Sequence, residues 1–199
     1  MRKSISILVC LILAISLFSG CSVNINTTVP DNKDTGKPEI ENPYNMFTFT
    51  HYSTGGTEDE QTAVILFEHA NSTFTTYQVA YPSCTCRDVG KNFYSVMYIE
   101  LLNSKDSAED ASIRTISFDN GLGLFGDEDN YSDFTLEKMD DTFYQKLVGV
   151  TKAEIDKYDY NHQIEGIDAI TGATVTMSNT ESCIKSLFQY HADKYYADK

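Results

Sequence analysis

Threonines and aromatics alternate over Met46 to Tyr52 and again over Phe74 to Tyr81, and these stretches flank an apolar run from Ala63 to Phe67. A period of two marks strands with one buried face, so Tyr44 to Pro82 reads as a small set of β-strands. Phe93 to Leu101 and Ile113 to Phe118 carry two more strand patterns, and the charged stretch Asn103 to Ala111 between them reads as a hairpin turn. Beyond these strands the period changes. Phe143 to Val148 and Lys152 to Tyr158 read as helical turns, and Cys183, Ile184, Leu187, Phe188, His191 and Tyr195 recur at helical spacing. Ser178 and Glu181 precede that stripe at the spacing of a capping box, which predicts Ser178 as N-cap and Glu181 at the third helical position. Strands followed by helices predict an α+β fold. It would be a small antiparallel sheet with a C-terminal helix, preceded by an N-terminal β-rich extension.

The start of the chain has a different pattern. Arg2 and Lys3 precede the apolar stretch Ile5 to Phe18, which Ser19-Gly20-Cys21 closes with small residues and a cysteine. This is the pattern of a bacterial lipoprotein signal, cleaved before Cys21, whose thiol would carry diacylglycerol. Phe18 stands where Leu is commoner. The run is short for a membrane span. Val23 to Pro43 is rich in Asn, Thr, Asp, Lys and Pro, the composition of a flexible tether. The expected organisation is a signal peptide at 1–20, a lipidated tether at 21–43, a β-rich extension at 44–90 and a C-terminal domain at 91–199. The expected location is the extracytoplasmic face of the cell membrane, with the bilayer as a partner through lipidated Cys21.

Charge narrows the choice of partners. The 199-residue chain has a formal net charge of −14, and loss of residues 1–20 with Arg2 and Lys3 leaves 179 residues at −16. Nucleic-acid binding needs a basic footprint, so that class is excluded. The four histidines, His51, His69, His162 and His191, are scattered without ligand spacing, and no metal site is expected.

The candidate chemistry lies just before the C-terminal helix, in Asp168-Ala169-Ile170-Thr171-Gly172-Ala173-Thr174, continuing Val175-Thr176. Gly172 and Ala173 leave the backbone open to a phosphate, and Thr174 offers a nucleophilic oxygen. A hydroxyl needs an activating base, and the sequence marks none, so no residue is assigned a catalytic role. Asp168 could orient the loop, contact an enzyme that acts on it, or cap its own backbone.

These residues resemble the attachment motif of the FMN-binding domain family, which includes peripheral flavin subunits of ion-pumping redox complexes and flavinylated extracellular lipoproteins. The resemblance covers roughly the last hundred residues and is strongest at the motif. It implies that a flavin transferase moves FMN from FAD onto Thr174 through a phosphoester bond, with Asp168, Thr171, Gly172, Ala173 and Thr176 as the surrounding cofactor-binding residues. The chain departs from the family after its second strand, where members often carry Glu-Thr-Pro-Gly and this sequence has Asp119-Asn120-Gly121-Leu122-Gly123-Leu124-Phe125-Gly126. Those glycines offer an equivalent loop against the flavin ring, and His162, Tyr158 and Tyr160 are candidates to pack on it.

Cys10 leaves with the signal and Cys21 is taken by lipid, so Cys84, Cys86 and Cys183 remain. Cys84 and Cys86 could form a strained, easily reduced pair that passes electrons; a structural bridge from one of them to Cys183 and free thiols are the alternatives. The expected function is a membrane-anchored electron carrier that takes electrons from a quinol or an NADH-fed complex and passes them outward. The competing classes are a flavin-dependent extracellular reductase with its own substrate and a non-redox surface-binding lipoprotein.

Overall fold

A computed structural model describes residues 45–53, 55–83, 94–119, 121–126, 135–160 and 174–197. Five strands form one antiparallel sheet in sequential order, comprising β1 (Asn45–Tyr52), β2 (Glu58–Ala70), β3 (Phe74–Pro82), β4 (Tyr94–Leu102) and β5 (Ser112–Ser117). Among the described residues three α-helices follow, α1 (Leu136–Thr142), the short α2 (Lys152–Ile155) and the 22-residue α3 (Thr174–Tyr195), with a 3₁₀ turn at Tyr144–Leu147. The fold is α+β, as the sequence pattern predicts. Strands from 44–90 and from 91–199 share the sheet, because β3 pairs with β4 along its length from Phe74↔Leu102 to Pro82↔Tyr94.

Alternation puts Tyr77, Val79 and Tyr81 of β3 on the same face as Met97, Ile99 and Leu101 of β4, and all six are buried. On that face lies α3, which contributes Met177, Cys183, Ile184, Leu187 and Phe188 to the core. A second part of the core forms where Phe118 stacks on Tyr144 at 4.3 Å between ring centroids, beside Phe125, Met139 and Phe143. The stretch after β5 folds back onto β4 through mutual backbone hydrogen bonds between Val96 and Leu124. Glycine is required there, since a Cβ on Gly126 would lie 2.0 Å from the Tyr94 carbonyl oxygen and one on Gly123 would lie 2.5 Å from that of Val96. Gly123 and Gly126 thus serve a close approach to β4.

One sequence expectation is corrected. Ser178 and Glu181 do not cap α3: the helix is already formed at Thr174, and both residues lie inside it, buried. Packing overrides the local signal, because Met177 and Thr176, one and two residues before Ser178, are already helical and buried. The Thr180 hydroxyl turns back to the Thr176 carbonyl at 2.9 Å, as helix-interior threonines do. Helix α1 carries no capping-box signature because Lys138 occupies its third position, although Thr135 caps it through the Lys138 amide.

Candidate functional site

The site is built on the N-terminal half of α3. Thr174 is the first described residue of this helix and is half-buried; a helix N-terminus favours negative charge through its free amides and its dipole. Asp168, Thr171, Gly172 and Ala173 lie outside the described residues, as do His162, Cys84, Cys86 and the lipidation candidate Cys21. Thr176 is buried against the core, and its carbonyl holds Thr180.

Asn179 fixes the helix against the sheet. Its Oδ1 accepts from the Tyr52 amide at 2.7 Å, and its Nδ2 donates to the carbonyls of Tyr52 at 3.0 Å and Ser83 at 2.6 Å. The side chain thus completes the hydrogen bonding at the end of β1 as a neighbouring strand would. The buried His51 ring adds a contact of 2.9 Å from Nε2 to the same Ser83 carbonyl, and its Nδ1 lies 3.0 Å from Asp59. At the next residue, the Tyr81 hydroxyl donates to Thr180 Oγ1 at 2.9 Å. Two strand ends therefore hold the first turns of α3 in a fixed position.

The far end of the helix has its own anchor. Glu68 of β2 accepts from Lys194 at 2.8 Å, Tyr195 at 2.6 Å and Tyr190 at 3.0 Å. Burial opposes ionisation of Glu68, but these donors outweigh it and hold its pKa below the usual carboxylate value.

Between the two anchors a cavity of about 280 Å³ opens beside α3, walled by Tyr52, Tyr158, Ser178, Glu181 and Lys185 among others. Lys185 closes one side by donating to the Asp156 carbonyl at 2.8 Å. Glu181 is only 4 % exposed, and neither of its carboxylate oxygens has a hydrogen-bond partner; the buried Ser178 hydroxyl is also without one. Desolvation raises the Glu181 pKa to about 8, so its neutral acid form predominates at pH 7. Thr174, Ser178, Glu181 and Lys185 follow helical spacing, so they lie along one stripe of α3 with Thr174 at its top. Sequence reasoning assigned Ser178 and Glu181 to a cap; a carboxylate in line with Thr174 at helical spacing was the available signal for their place in the cavity wall.

Cys183 is a free, buried thiol whose pKa burial pushes up, and its candidate partners Cys84 and Cys86 lie outside the described residues. Tyr158 lines the cavity, and Tyr160 packs at a tilt against Tyr52 with centroids 5.3 Å apart. Among the described residues no cluster of His, Cys, Asp or Glu could hold a metal ion, and no helix is long and apolar enough to cross a membrane. No protein-family description, curated protein or solved structure matches the chain.

Proposed function

We propose that the protein is a lipid-anchored extracytoplasmic electron carrier with FMN joined covalently to Thr174. The observation that carries this reading is the Asp168–Thr174 motif running into a helix whose head is Thr174 and whose same stripe borders a cavity with an orphaned carboxyl group. The residues fit the group at both ends. The amides at the head of α3 suit a phosphate, and Glu181 and Ser178 lack hydrogen-bond partners that a heteroaromatic ring can supply.

FMN, when bound, supplies one- and two-electron transfer. The chain's own part is positional. Gly172 and Ala173 admit the phosphate, Thr174 gives its oxygen to the phosphoester, and a separate flavin transferase activates that oxygen while AMP leaves from FAD. Asn179, His51 and Tyr81 keep the head of the helix in place through maturation and redox cycling. Cys21 would carry the lipid, and residues 23–43 would set the distance from the membrane to a quinol or NADH-fed donor. The covalent bond keeps the cofactor from diffusing away outside the cell.

The test is co-expression of the full chain with a flavin transferase, in wild-type and Thr174→Ala forms, read by intact mass and by flavin fluorescence after denaturing electrophoresis. The expected wild-type gain equals FMN minus one water and disappears in the variant. No gain, with the transferase active on another target, overturns the carrier reading. Turnover of a soluble acceptor by the loaded protein alone would instead identify a reductase.

A further inference from the structure

We propose that the cavity beside α3 seats the isoalloxazine ring by its imide edge, with Glu181 and Ser178 as the hydrogen-bond partners of that edge. This rests on the reading that Thr174 carries FMN and adds where the ring sits and which residues recognise it.

Three observations lead there. First, the stripe gives reach. Glu181 lies two turns from Thr174 on the same side of α3, roughly 10 Å along the axis, a span suited to the ribityl chain between phosphate and ring. Second, the charges give direction. Asp156 and Asp159 line the cavity, with Lys185 the one basic side chain among its described lining residues, a poor setting for a phosphate and an acceptable one for an uncharged ring. The head of the helix has the opposite preference. The phosphate therefore belongs at Thr174 and the ring below it, between the side chains of Tyr52 and Tyr158.

Third, the unmet hydrogen bonds give chemistry. A buried carboxyl group with no partner is costly, and here both oxygens of Glu181 and the Ser178 hydroxyl are left unmatched in one wall. A neutral carboxylic acid presents a donor and an acceptor side by side, and burial favours that form of Glu181. An imide presents the complementary pair, an N–H next to a carbonyl. A simple cation would satisfy only the ionised form and would leave the aromatic walls unused.

The experiment uses the full chain loaded by the transferase, as wild type, Glu181→Gln and Glu181→Leu, with loading checked by mass and folding by thermal melts. Iodide quenching and visible circular dichroism then report how the ring is housed. In wild type and Glu181→Gln, which keeps a donor and an acceptor, the ring should be shielded and its dichroism structured. In Glu181→Leu shielding should fall several-fold. Equal quenching in all three, matching the unfolded protein, overturns the proposal.

Thr174→Ala protein titrated with free FMN separates this proposal from the attachment reading, because no tether can form. A tether supplies millimolar effective concentration, so binding is sought up to about 1 mM. Induced dichroism that Glu181→Leu weakens by about tenfold, the worth of one lost buried hydrogen bond, supports the cavity even if Thr174 is never loaded. No induced signal, or one indifferent to Glu181, means a water-filled cavity only and overturns the proposal.

Discussion

Glu181 couples the site to pH. Its folded pKa, raised by burial to about 8 from the model-peptide 4.5, means that the folded state holds a proton that the unfolded chain releases. Stability from this group is thus fully present below pH 4.5 and is lost as pH rises through about 8, a change of a few kcal/mol by linkage. Glu181→Gln removes the titration while keeping the shape. In unflavinylated protein the variant should melt above wild type at pH 9, and the two should converge near pH 4; melting curves that stay parallel across this range would count against a desolvated Glu181. His191 works in the opposite direction, since desolvation lowers its pKa to about 4, so its contribution is present above pH 6.5 and lost as pH falls through 4. Asn179 makes a different kind of contribution. Truncation to Ala leaves the Tyr52 amide and the Tyr52 and Ser83 carbonyls without this partner. A loss of about 2–4 kcal/mol is expected, seen as a lower urea midpoint at unchanged slope.

At the scale of elements, the head of α3 separates two interpretations of Ser178. If it were an N-cap, Ser178→Ala would cost about 1 kcal/mol. As a buried, unpartnered residue inside a helix, it should become more stable on the same change, by some tenths of a kcal/mol, because Ala is the better helix former and leaves no hydroxyl unmatched. Chemical denaturation of the unflavinylated variant gives the sign. The same residue shows why the sequence was only partly legible here. A serine three positions before a glutamate looks alike at a helix start and in its second turn, and only the burial of Met177 against the sheet distinguishes the two. The strands were legible because alternation is a one-dimensional record of a buried face. Phe74 to Pro82 shows this, with Thr75, Tyr77, Val79 and Tyr81 buried. Helix α1 was not anticipated, since Leu136 and Met139 are too few apolar positions to establish a period. The cavity was beyond sequence reasoning for another reason. Tyr52 and Glu181 come together where α3 packs on β1, a contact that Asn179 pins and that no spacing along the chain encodes.

For the whole molecule, the joining of β1 to β5 in one sheet has a functional consequence. The β-rich extension supplies Tyr52 and Thr50 to the cavity and its strand ends to the anchors of α3, so residues from both sides of position 90 build the site. The 29 acidic residues against 15 basic ones give the chain a net negative charge, and a field of that sign acts on charged partners from a distance. If the reduced flavin passes electrons outward, the field should select among acceptors by charge. A cationic metal complex should oxidise the loaded, reduced protein faster than an anionic complex of similar driving force at low ionic strength. Raising the salt shortens the Debye length to about 3 Å at 1 M, so the two rates should converge there. Stopped-flow bleaching and recovery of flavin absorbance over a salt series measures this. Rates independent of both acceptor charge and salt would place the electron exit away from the acidic surface and would require a docked partner to screen it.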